Sequence, residues 1–391
     1  MRVGRGRARL GWAGGRPRPI IKEEGQKGNC RCKSGCGRVN CKGDAPAGAR
    51  EKTAGEKRVK ASVIIPNLNG AGWLGDSIES ILAQDFADGF ELIVIDNGST
   101  DESLQIARSY LGRPGYRLIE NSENTGFSAA VNAGIRASQA EYAVLFNNDA
   151  FAQPDWLRRL VEVADGDARI FSVGSLMLRY YEPELADDAG DYVNLFGWAA
   201  KTGDGLYARR YQRQRRCFSA CGGAALYRKS ILEQIGLFDE HFFAYYEDVD
   251  LGWRANSLGY KNIYCPRAVC RHICGATTSG VKGGRYNDFK SVQSGRNSLL
   301  LPYKNEPLLM LLLNLPFLLA GYLIKFAMFA LRGFGKPYWQ GTKEAFATFG
   351  KLEKPKFRFK NLPNYVLIQF WLIGGFFKYA AYRIRRAVGA K

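Results

Sequence analysis

Residues 62–70 read SVIIPNLNG, an apolar run that ends in asparagines and a glycine. Apolar runs also occur at Glu91–Asp96, Arg117–Glu120 and Tyr142–Asn147, and segments with helix-like apolar spacing separate them. This alternation begins near Val59 and is typical of β-α-β units around a mostly parallel sheet. The sequence therefore predicts an α/β fold, with strands at Lys60–Pro66 and the three runs above and helices at Gly72–Gln84, Ser103–Leu111 and Ser128–Ala137.

The positive charge of the chain lies at its two ends. The net charge is +19 over 391 residues, yet residues 61–303 hold 24 basic and 29 acidic side chains. Residues 1–60 hold 17 basic against 5 acidic residues, and residues 304–391 hold 15 against 3. A nucleic-acid-binding core would carry its positive charge in the folded centre, so we expect no nucleic acid partner.

The N-terminal residues 1–58 are rich in Gly, Arg, Lys and Ala, and they predict a basic disordered tail. Four of the nine cysteines, Cys30, Cys32, Cys36 and Cys41, lie there, and a zinc site or an upstream translation start are alternatives for this segment. Irregular cysteine spacing and the lack of an apolar leader favour a reduced, cytoplasmic setting.

Residues 59–303 are expected to form the catalytic domain, and residues 304–391 an apolar and basic helical region that associates with a membrane. Two uncharged stretches, Pro307–Ile324 and Asn361–Phe377, flank the basic run Lys351–Lys360. Each stretch is barely long enough to cross a bilayer. Spanning or re-entrant helices, interfacial helices and a soluble helical cap all fit this pattern.

Polar residues follow the strands where a parallel sheet binds its ligands. Asp96 ends a strand and can accept a hydrogen bond from a base or a ribose, although capping a turn is the common role of such an aspartate. Asp101 is better placed to cap the next helix. Asn147-Asn148-Asp149 also ends a strand, and one carboxylate beside amides suits Mg²⁺ or Mn²⁺ that takes its other ligands from a diphosphate.

His272 and His241 are the only histidines in the sequence. His272 follows a predicted strand and is expected in a loop ahead of a segment rich in Gly, Thr and Ser, which favours a metal or phosphate role over a structural one. His241 lies beside two phenylalanines and fits packing or the acceptor side.

The segment Glu247-Asp248-Val249-Asp250 carries three carboxylates at the start of a predicted helix. Acids are stabilising at a helix N-terminus, so capping is one explanation. Carboxylates this close also repel one another and raise their proton affinity, which a general base for a sugar hydroxyl needs.

Five segments together resemble glycosyltransferase family 2, and more narrowly its rhamnosyltransferase-like branch. They cover about residues 60–300 and occur in order: 63–70, 96–101, 123–134, 145–149 and 246–254. The resemblance implies a GT-A fold, a nucleotide-sugar donor and a divalent cation. It implies an inverting glycosyltransferase, with rhamnose as the candidate sugar. The apolar and basic C-terminal region suggests a saccharide or lipid-linked acceptor in cell-envelope polysaccharide synthesis, at the cytoplasmic face of a membrane.

The resemblance also implies roles for individual residues. Asp248 would be the base with Glu247 as its neighbour, Asp149 and His272 would bind the metal, and Asn147 replaces the first acid of the family's D-x-D element. The small-residue loop Cys221–Ala224 would lie beside the sugar. The residues that would contact the nucleotide are Pro66, Asn67, Asn69, Asp96, Asn97, Asn124, Gly126, Asn147 and Asn148.

Two other functions were weighed against this one. A sugar-nucleotide pyrophosphorylase would need basic residues in the loop after the first strand, and residues 67–72 contain none. A catalytically degenerate core that binds membrane surfaces would explain the basic and apolar ends. The retained acids favour an enzyme.

Overall fold

Strands and helices alternate through the first part of the computed structural model, which describes residues 59–273 and 287–387. The predicted elements are confirmed, with each boundary shifted by three residues or fewer. The expected tail at residues 1–58 and its cysteines lie outside the described residues. In chain order the elements are β1 (Ala61–Asn67), α1 (Leu74–Leu82), β2 (Phe90–Asn97), α2 (Ser103–Arg108), β3 (Tyr116–Asn121), α3 (Phe127–Ala137), β4 (Tyr142–Phe146), β5 (Ala150–Ala152) and α4 (Trp156–Asp165).

The second part contains shorter strands and then long helices. Its elements are β6 (Ile170–Arg179), β7 (Ala186–Asp188), β8 (Asp191–Val193), β9 (Ala199–Lys201), β10 (Arg215–Cys217), β11 (Ala224–Arg228), α5 (Lys229–Ile235), α6 (Glu247–Ser257), β12 (Lys261–His272), α7 (Asp288–Asn305), α8 (Leu308–Ala330), α9 (Gly335–Phe349) and α10 (Leu362–Ala387). Strand β12 continues to His272 through an irregularity between Cys265 and Val269, so His272 ends a strand and does not begin a loop.

The central sheet has the strand order β10-β12-β6-β11-β4-β1-β2-β3. Six of these eight strands run in one direction, and β10 and β11 oppose them. Strands β5 and β7 pair with β12 and β6, and β8 and β9 form a separate ribbon. The predicted fold class, an α/β domain with a mostly parallel sheet and C-terminal apolar helices, is confirmed.

Apolar side chains cover both faces of the sheet. One core contains Val63, Val94 and Trp156, and the other contains Ile64, Ile93 and Leu251. The opposite faces of neighbouring residues such as Val63 and Ile64 follow from the two-residue period of a strand. With both faces buried, the parallel strands hold the ends of β1, β2, β3 and β4 along one edge.

Helices α7 to α10 extend the domain. Helix α7 crosses residue 303, and a third core joins Trp253 of α6 to Leu300 of α7 and Ile368 of α10. Among the described residues, α8 alone is long and apolar enough to cross a membrane, judged by length and composition. Its buried residues are few: Met310, Asn314, Gly321 and Phe329.

Candidate active site

Side-chain amides join the ends of β1, β2 and β4. Asn67 Nδ2 donates to Asp96 Oδ1 at 2.9 Å, and Asn148 Nδ2 donates to Asn67 Oδ1 at 2.8 Å. Asp96 Oδ2 accepts from the Ser99 N–H at 3.1 Å, which is the turn-capping contact considered for this residue. Gly70 must lack a side chain, because a Cβ there would lie 2.3 Å from Asn148 Nδ2. The predicted residues Asn67, Asp96 and Asn148 thus form one buried network.

A second group of amides lies at the ends of β2 and β3. Asn97 Nδ2 donates to Asn124 Oδ1 at 3.0 Å and to the Gly126 carbonyl at 3.3 Å. Gly126 has a φ of +88°, and a Cβ there would clash with the ring of Phe243. Asn69 has a φ of +51° and its Oδ1 accepts from the Thr100 N–H at 2.8 Å. These residues and the half-buried Pro66 line the same strand ends as the first network.

Asp101 caps the neighbouring helix. Its carboxylate accepts from the N–H groups of Ser103 at 2.9 Å and Ala71 at 3.0 Å. The second contact ties the loop after β1 to the start of α2. The structure therefore gives Asp101 the helix-capping role that the sequence favoured.

His272 lies between two carboxylates. Its Nε2 is 3.1 Å from Asp149 Oδ1 and 3.3 Å from Asn147 Nδ2, while its Nδ1 is 2.9 Å from Asp187 Oδ2. Asp149, Asp187 and His272 are all buried. A carboxylate on one ring nitrogen fixes the tautomer and aims the other nitrogen at a metal. The atoms of Asp149 and His272 therefore fit a shared divalent cation.

Strand pairing explains how these three residues meet. His272 of β12 is paired with Ala150 of β5, and Ala150 is the residue directly after Asp149. On its other side β12 pairs with β6, and β6 pairs with β7, the strand that contains Asp187. The contact thus depends on a four-strand arrangement.

A glycine pair separates the two groups of candidate catalytic residues. The Asn147 N–H donates to the Gly223 carbonyl at 2.9 Å, and the Gly222 N–H donates to Asp248 Oδ2 at 2.8 Å. A Cβ on Gly223 would lie 3.0 Å from Asn147 Nδ2, and one on Gly222 would lie 3.6 Å from Asp248 Oδ2. Bare backbone therefore lies between Asp248 and the strand end that carries Asn147 and Asp149.

Asp248 and Glu247 begin helix α6. Burial raises the pKa of Asp248, and hydrogen bonds from the Gly222 and Val249 N–H groups offset only part of that rise. Burial and then the neighbouring Asp248 charge raise the pKa of Glu247 well above its usual range. Glu247 Oε2 has no hydrogen-bond partner among the described residues. Both carboxyls thus have the raised proton affinity that the sequence predicted for this cluster.

Asp250 has a different environment from its two acidic neighbours. It is fully buried, and its Oδ2 accepts from Arg254 and Lys304 at 2.9 Å each. Burial raises the pKa of Asp250, but the charges of Arg254 and Lys304 outweigh that effect and lower it. His241 Nδ1 lies 2.8 Å from Asp239 Oδ1. These contacts are structural and lie outside the amide and histidine networks.

Sequence reasoning missed a group of buried acids in residues 180–216. Asp187 accepts from Lys201 Nζ at 2.9 Å, and although burial raises its pKa, Lys201 and His272 lower it below the usual range. Burial raises the pKa of Asp188 to about 6. Burial, then the charges of Asp188 and Asp248, raise the pKa of Asp191. Three aspartates lie within five residues of sequence, at positions 187, 188 and 191, and this spacing was the signal that could have identified them.

The donor set for a metal is incomplete without a ligand. Within residues 59–273 and 287–387, no three His, Cys, Asp or Glu side chains converge as a metal site. Asp149 and His272 would leave the remaining positions of a six-coordinate ion to ligand oxygens and water, which is usual for Mg²⁺. The Gly, Thr and Ser residues after His272 lie outside the described residues.

Part of the predicted catalytic domain matches a known protein family. Residues 62–236 match the model of Glycosyl transferase family 2. An N-acetylglucosaminyl-diphospho-decaprenol L-rhamnosyltransferase of Mycobacterium tuberculosis is 29% identical over 204 residues, which are 46% of this chain and 66% of that protein. A poly-beta-1,6-N-acetyl-D-glucosamine synthase of Staphylococcus epidermidis is 22% identical over 223 residues, covering 56% and 51%.

Among solved structures, a mannosyltransferase of Pyrobaculum calidifontis in complex with GDP-Man and Mn²⁺ has a TM-score of 0.46 at 19% identity, covering 75% of this chain and 86% of that one. The chain spans between half and two thirds of the length of the two curated relatives. The family match covers strands β1 to β11 and both amide networks, and it ends before Glu247, Asp248 and His272. The stretch of residues 62–236 belongs to glycosyltransferase family 2.

Proposed function

We propose that this chain is an inverting glycosyltransferase that moves a sugar from a nucleoside diphosphate to a saccharide or lipid-linked acceptor. The observation that carries this proposal is the bare Gly222–Gly223 backbone between Asp248 and the end of β4. A sugar can lie against glycine backbone where side chains would obstruct it. One carboxyl would then face the acceptor, and Asp149 and His272 would face the diphosphate.

The donor would lie along the carboxyl edge of the sheet. Asn67, Asp96 and Asn148 form a buried polar network there, and Asn97 joins Asn124 and Gly126 in a second one. Such amide and carboxylate groups can bind a base and a ribose. The other donor contacts that we propose are Pro66, Asn69 and Asn147.

The diphosphate end would be held by Asp149 and His272 through Mg²⁺ or Mn²⁺. A bound cation would neutralise the charge that develops on the departing nucleoside diphosphate. Asp187 would hold His272 Nδ1–H so that Nε2 stays directed toward Asp149. The Asn147 side chain, 3.3 Å from His272 Nε2, would border the same space.

Asp248 would act as the general base. Its carboxylate takes the proton of the acceptor hydroxyl while that oxygen bonds to the anomeric carbon, and the bond from this carbon to the diphosphate oxygen breaks. Attack from the opposite face inverts the anomeric carbon. The raised pKa of Asp248 and its orientation by two N–H groups suit proton transfer near neutral pH. Glu247 would support this role as its buried neighbour.

We propose further that the enzyme works at the cytoplasmic face of a membrane in cell-envelope polysaccharide synthesis, with rhamnose as the first donor sugar to test. The mycobacterial relative is named for rhamnosyl transfer to a diphospho-decaprenol acceptor, which supports rhamnose as the donor sugar and a lipid as part of the acceptor. The staphylococcal relative is named for an N-acetylglucosamine polymer, so the donor panel includes that sugar. The apolar helices α8 and α10 suit a membrane surface as a partner.

The Asp248→Asn variant tests the proposed chemistry. It should abolish sugar transfer while donor binding, measured by metal-dependent thermal stabilisation, stays within about twofold, because the carboxylate acts on the acceptor. Asp85→Asn removes an exposed carboxylate and should change neither quantity. An equal loss of donor binding in Asp248→Asn would contradict the assignment. Binding without donor hydrolysis or transfer in the native chain would favour the degenerate, membrane-binding alternative.

A further inference from the structure

A basic cavity lies between the catalytic domain and α10. It has a volume of about 450 Å³, and its cationic lining residues are Arg209, Arg210, Arg213, Arg215 and Lys378. Four of these come from residues 209–215 and one from α10. Cations from two separate elements at one cavity form a positive surface that an anion would stabilise.

The charges of this cavity are not paired with carboxylates at ion-pair distance among the described residues. Within the described part of the chain, none of the five cations forms an ion pair, whereas the nearby Arg179 and Lys201 pair with Asp204 at 2.8 Å and Asp187 at 2.9 Å. Neighbouring cations are thus paired by the protein, whereas the acids Asp188 and Asp191 act on Lys378 without an ion pair.

Two of the five cations are held in position by neutral groups. The Arg215 guanidinium lies 4.6 Å from the centre of the Tyr264 ring and donates to the Ala189 carbonyl at 2.6 Å. Lys378 Nζ lies 4.2 Å from the centre of the Tyr192 ring and donates to Thr202 Oγ1 at 2.6 Å. Held guanidinium and ammonium groups lose less conformational entropy when they bind phosphate oxygens.

The position of the cavity indicates which type of anion it would bind. Thr202 follows Lys201, whose ammonium reaches Asp187 and, through it, His272. On the other side, α10 carries Lys378 into the cavity and exposes Phe370 and Phe377. The order of groups is therefore candidate active site, cations and apolar helix, which matches a ligand made of saccharide, phosphate and lipid.

We propose that this cavity binds the phosphate or diphosphate group of a lipid, and that in the acceptor this group joins the saccharide to the lipid chain. The identification of this lipid as the acceptor rests on the proposed function. The donor diphosphate belongs at Asp149 and His272, so the cavity is a second, separate anion site. Arg210 and Arg213 are exposed and can turn toward a phosphoryl group without rearrangement of the fold.

The test compares two double variants of the full chain. Arg210→Gln with Arg213→Gln removes two charges from the cavity, and Arg113→Gln with Arg267→Gln removes two exposed charges elsewhere. Inorganic pyrophosphate binding is measured by calorimetry in EDTA, which silences the metal site. The cavity variant should bind about tenfold more weakly or worse, since each charge-assisted hydrogen bond contributes strongly, and the control should stay within about twofold.

Vesicles then identify the source of the phosphate. Phosphatidylcholine vesicles that contain a polyprenyl diphosphate are compared with vesicles that contain phosphatidylglycerol. Selective loss of diphosphate binding in the cavity variant supports a lipid diphosphate, and equal loss on both supports lipid headgroups. If the cavity variant and the control bind pyrophosphate and both kinds of vesicle equally well, the proposed site is wrong. No donor sugar is used, so a chain without transferase activity still gives a clear result.

Discussion

His272 shows how one contact can prepare a residue for metal binding. Its Nδ1 faces Asp187 at 2.9 Å, so the proton is held on that nitrogen when a cation occupies the side of Nε2 and Asp149. Burial of all three residues strengthens their electrostatic interactions relative to those in water. We therefore propose Asp187 as a positioning residue that would act through His272.

We predict that Asp187→Asn weakens Mn²⁺ binding by about 10- to 100-fold, because an amide in place of the carboxylate no longer fixes the imidazole tautomer. Calorimetry or Mn²⁺ electron paramagnetic resonance on the donor complex would measure it. Asp188→Asn is the matched control, since it neutralises the adjacent buried acid without a contact to His272. Equal affinity losses in both variants would indicate a general charge effect.

We predict that the acidic limb of the kcat/KM profile lies above the ordinary aspartate pKa of about 4. The reason is that burial raises the pKa of Asp248, and a protonated carboxyl cannot accept the proton of a hydroxyl. Activity should rise as pH increases through that raised pKa. Rates between pH 4.5 and 8 would locate the limb. A profile without an acidic limb in this range would contradict the assignment to Asp248.

Residues in the motifs could be proposed from the sequence because each motif ends a strand or begins a helix. Asn67, Asp96 and Asn148 follow periodic segments, so their common edge was predictable. Asp187 could not be identified this way, since it lies 85 residues from His272 and meets it only through the pairing of β7, β6 and β12. Side-chain spacing does not encode strand neighbours at that separation.

Helix α6 divides its three acids by direction. Asp250 faces Arg254 one turn later and lies against Lys304 of α7, while Asp248 faces Gly222. The 3.6-residue period explains why acids two positions apart have different neighbours. Asp250 therefore fixes the helix to the domain, and Asp248 is left for the proton transfer that we propose.

We predict that Asp250→Asn lowers the free energy of unfolding by about 3–5 kcal/mol at pH 7, because it leaves the buried Arg254 without a carboxylate and Lys304 with Asp239 alone. Urea unfolding would measure this value. The pKa of Asp250 is lower in the folded protein than in the unfolded chain. The stability that Asp250 contributes is therefore fully present above its pKa in the unfolded chain, and it is lost as the pH falls through its pKa in the folded protein.

Asp155→Asn is the control for this experiment. Asp155 and Arg159 form the same i, i+4 pair on α4, with side chains 36% and 26% exposed. Such an exposed pair contributes only about 0.3–0.5 kcal/mol. A similar small effect for Asp250→Asn would mean that the buried network does not hold α6 in place.

Element length determined which parts of the fold could be predicted. The strands and helices of the first half carry enough residues to display a period, and they were predicted nearly to their ends. Strands β7, β8, β9 and β10 have three residues each, too few for any periodic signal. The missed acids lie on or next to these short strands.

At the scale of the whole molecule, the C-terminal helices connect an apolar surface to the catalytic domain. Lys325 of α8 donates to the hydroxyl of Tyr246 at 3.0 Å, and Tyr246 directly precedes Glu247 in the sequence. Asn314 of α8 and Gln369 of α10 exchange hydrogen bonds of 3.0 and 2.8 Å. One face of α8 is thus tied to the protein, while Leu309 and Leu313 are exposed.

We predict that α8 lies in the membrane interface with these leucines in the lipid. Leu309→Glu with Leu313→Glu should reduce flotation with phosphatidylglycerol-containing vesicles at least about tenfold, because each buried leucine contributes about 1.5–3 kcal/mol. Leu111→Glu with Leu258→Glu changes exposed leucines of the catalytic domain and should leave flotation unchanged. Equal flotation of both variants would contradict a lipid-facing α8.

Alkaline carbonate extraction separates an interfacial α8 from a spanning one. Lys325 contacts Tyr246, two residues before the candidate base Asp248, so we expect that part of α8 to lie near the active site and outside the hydrocarbon region. Asn314 is buried against Glu306 and Gln369, so the polar groups of the first half of α8 are also satisfied by the protein. Only the outer leucine face remains for lipid, and a helix held this way should be released by carbonate. Retention in the membrane pellet would require α8 to cross the bilayer.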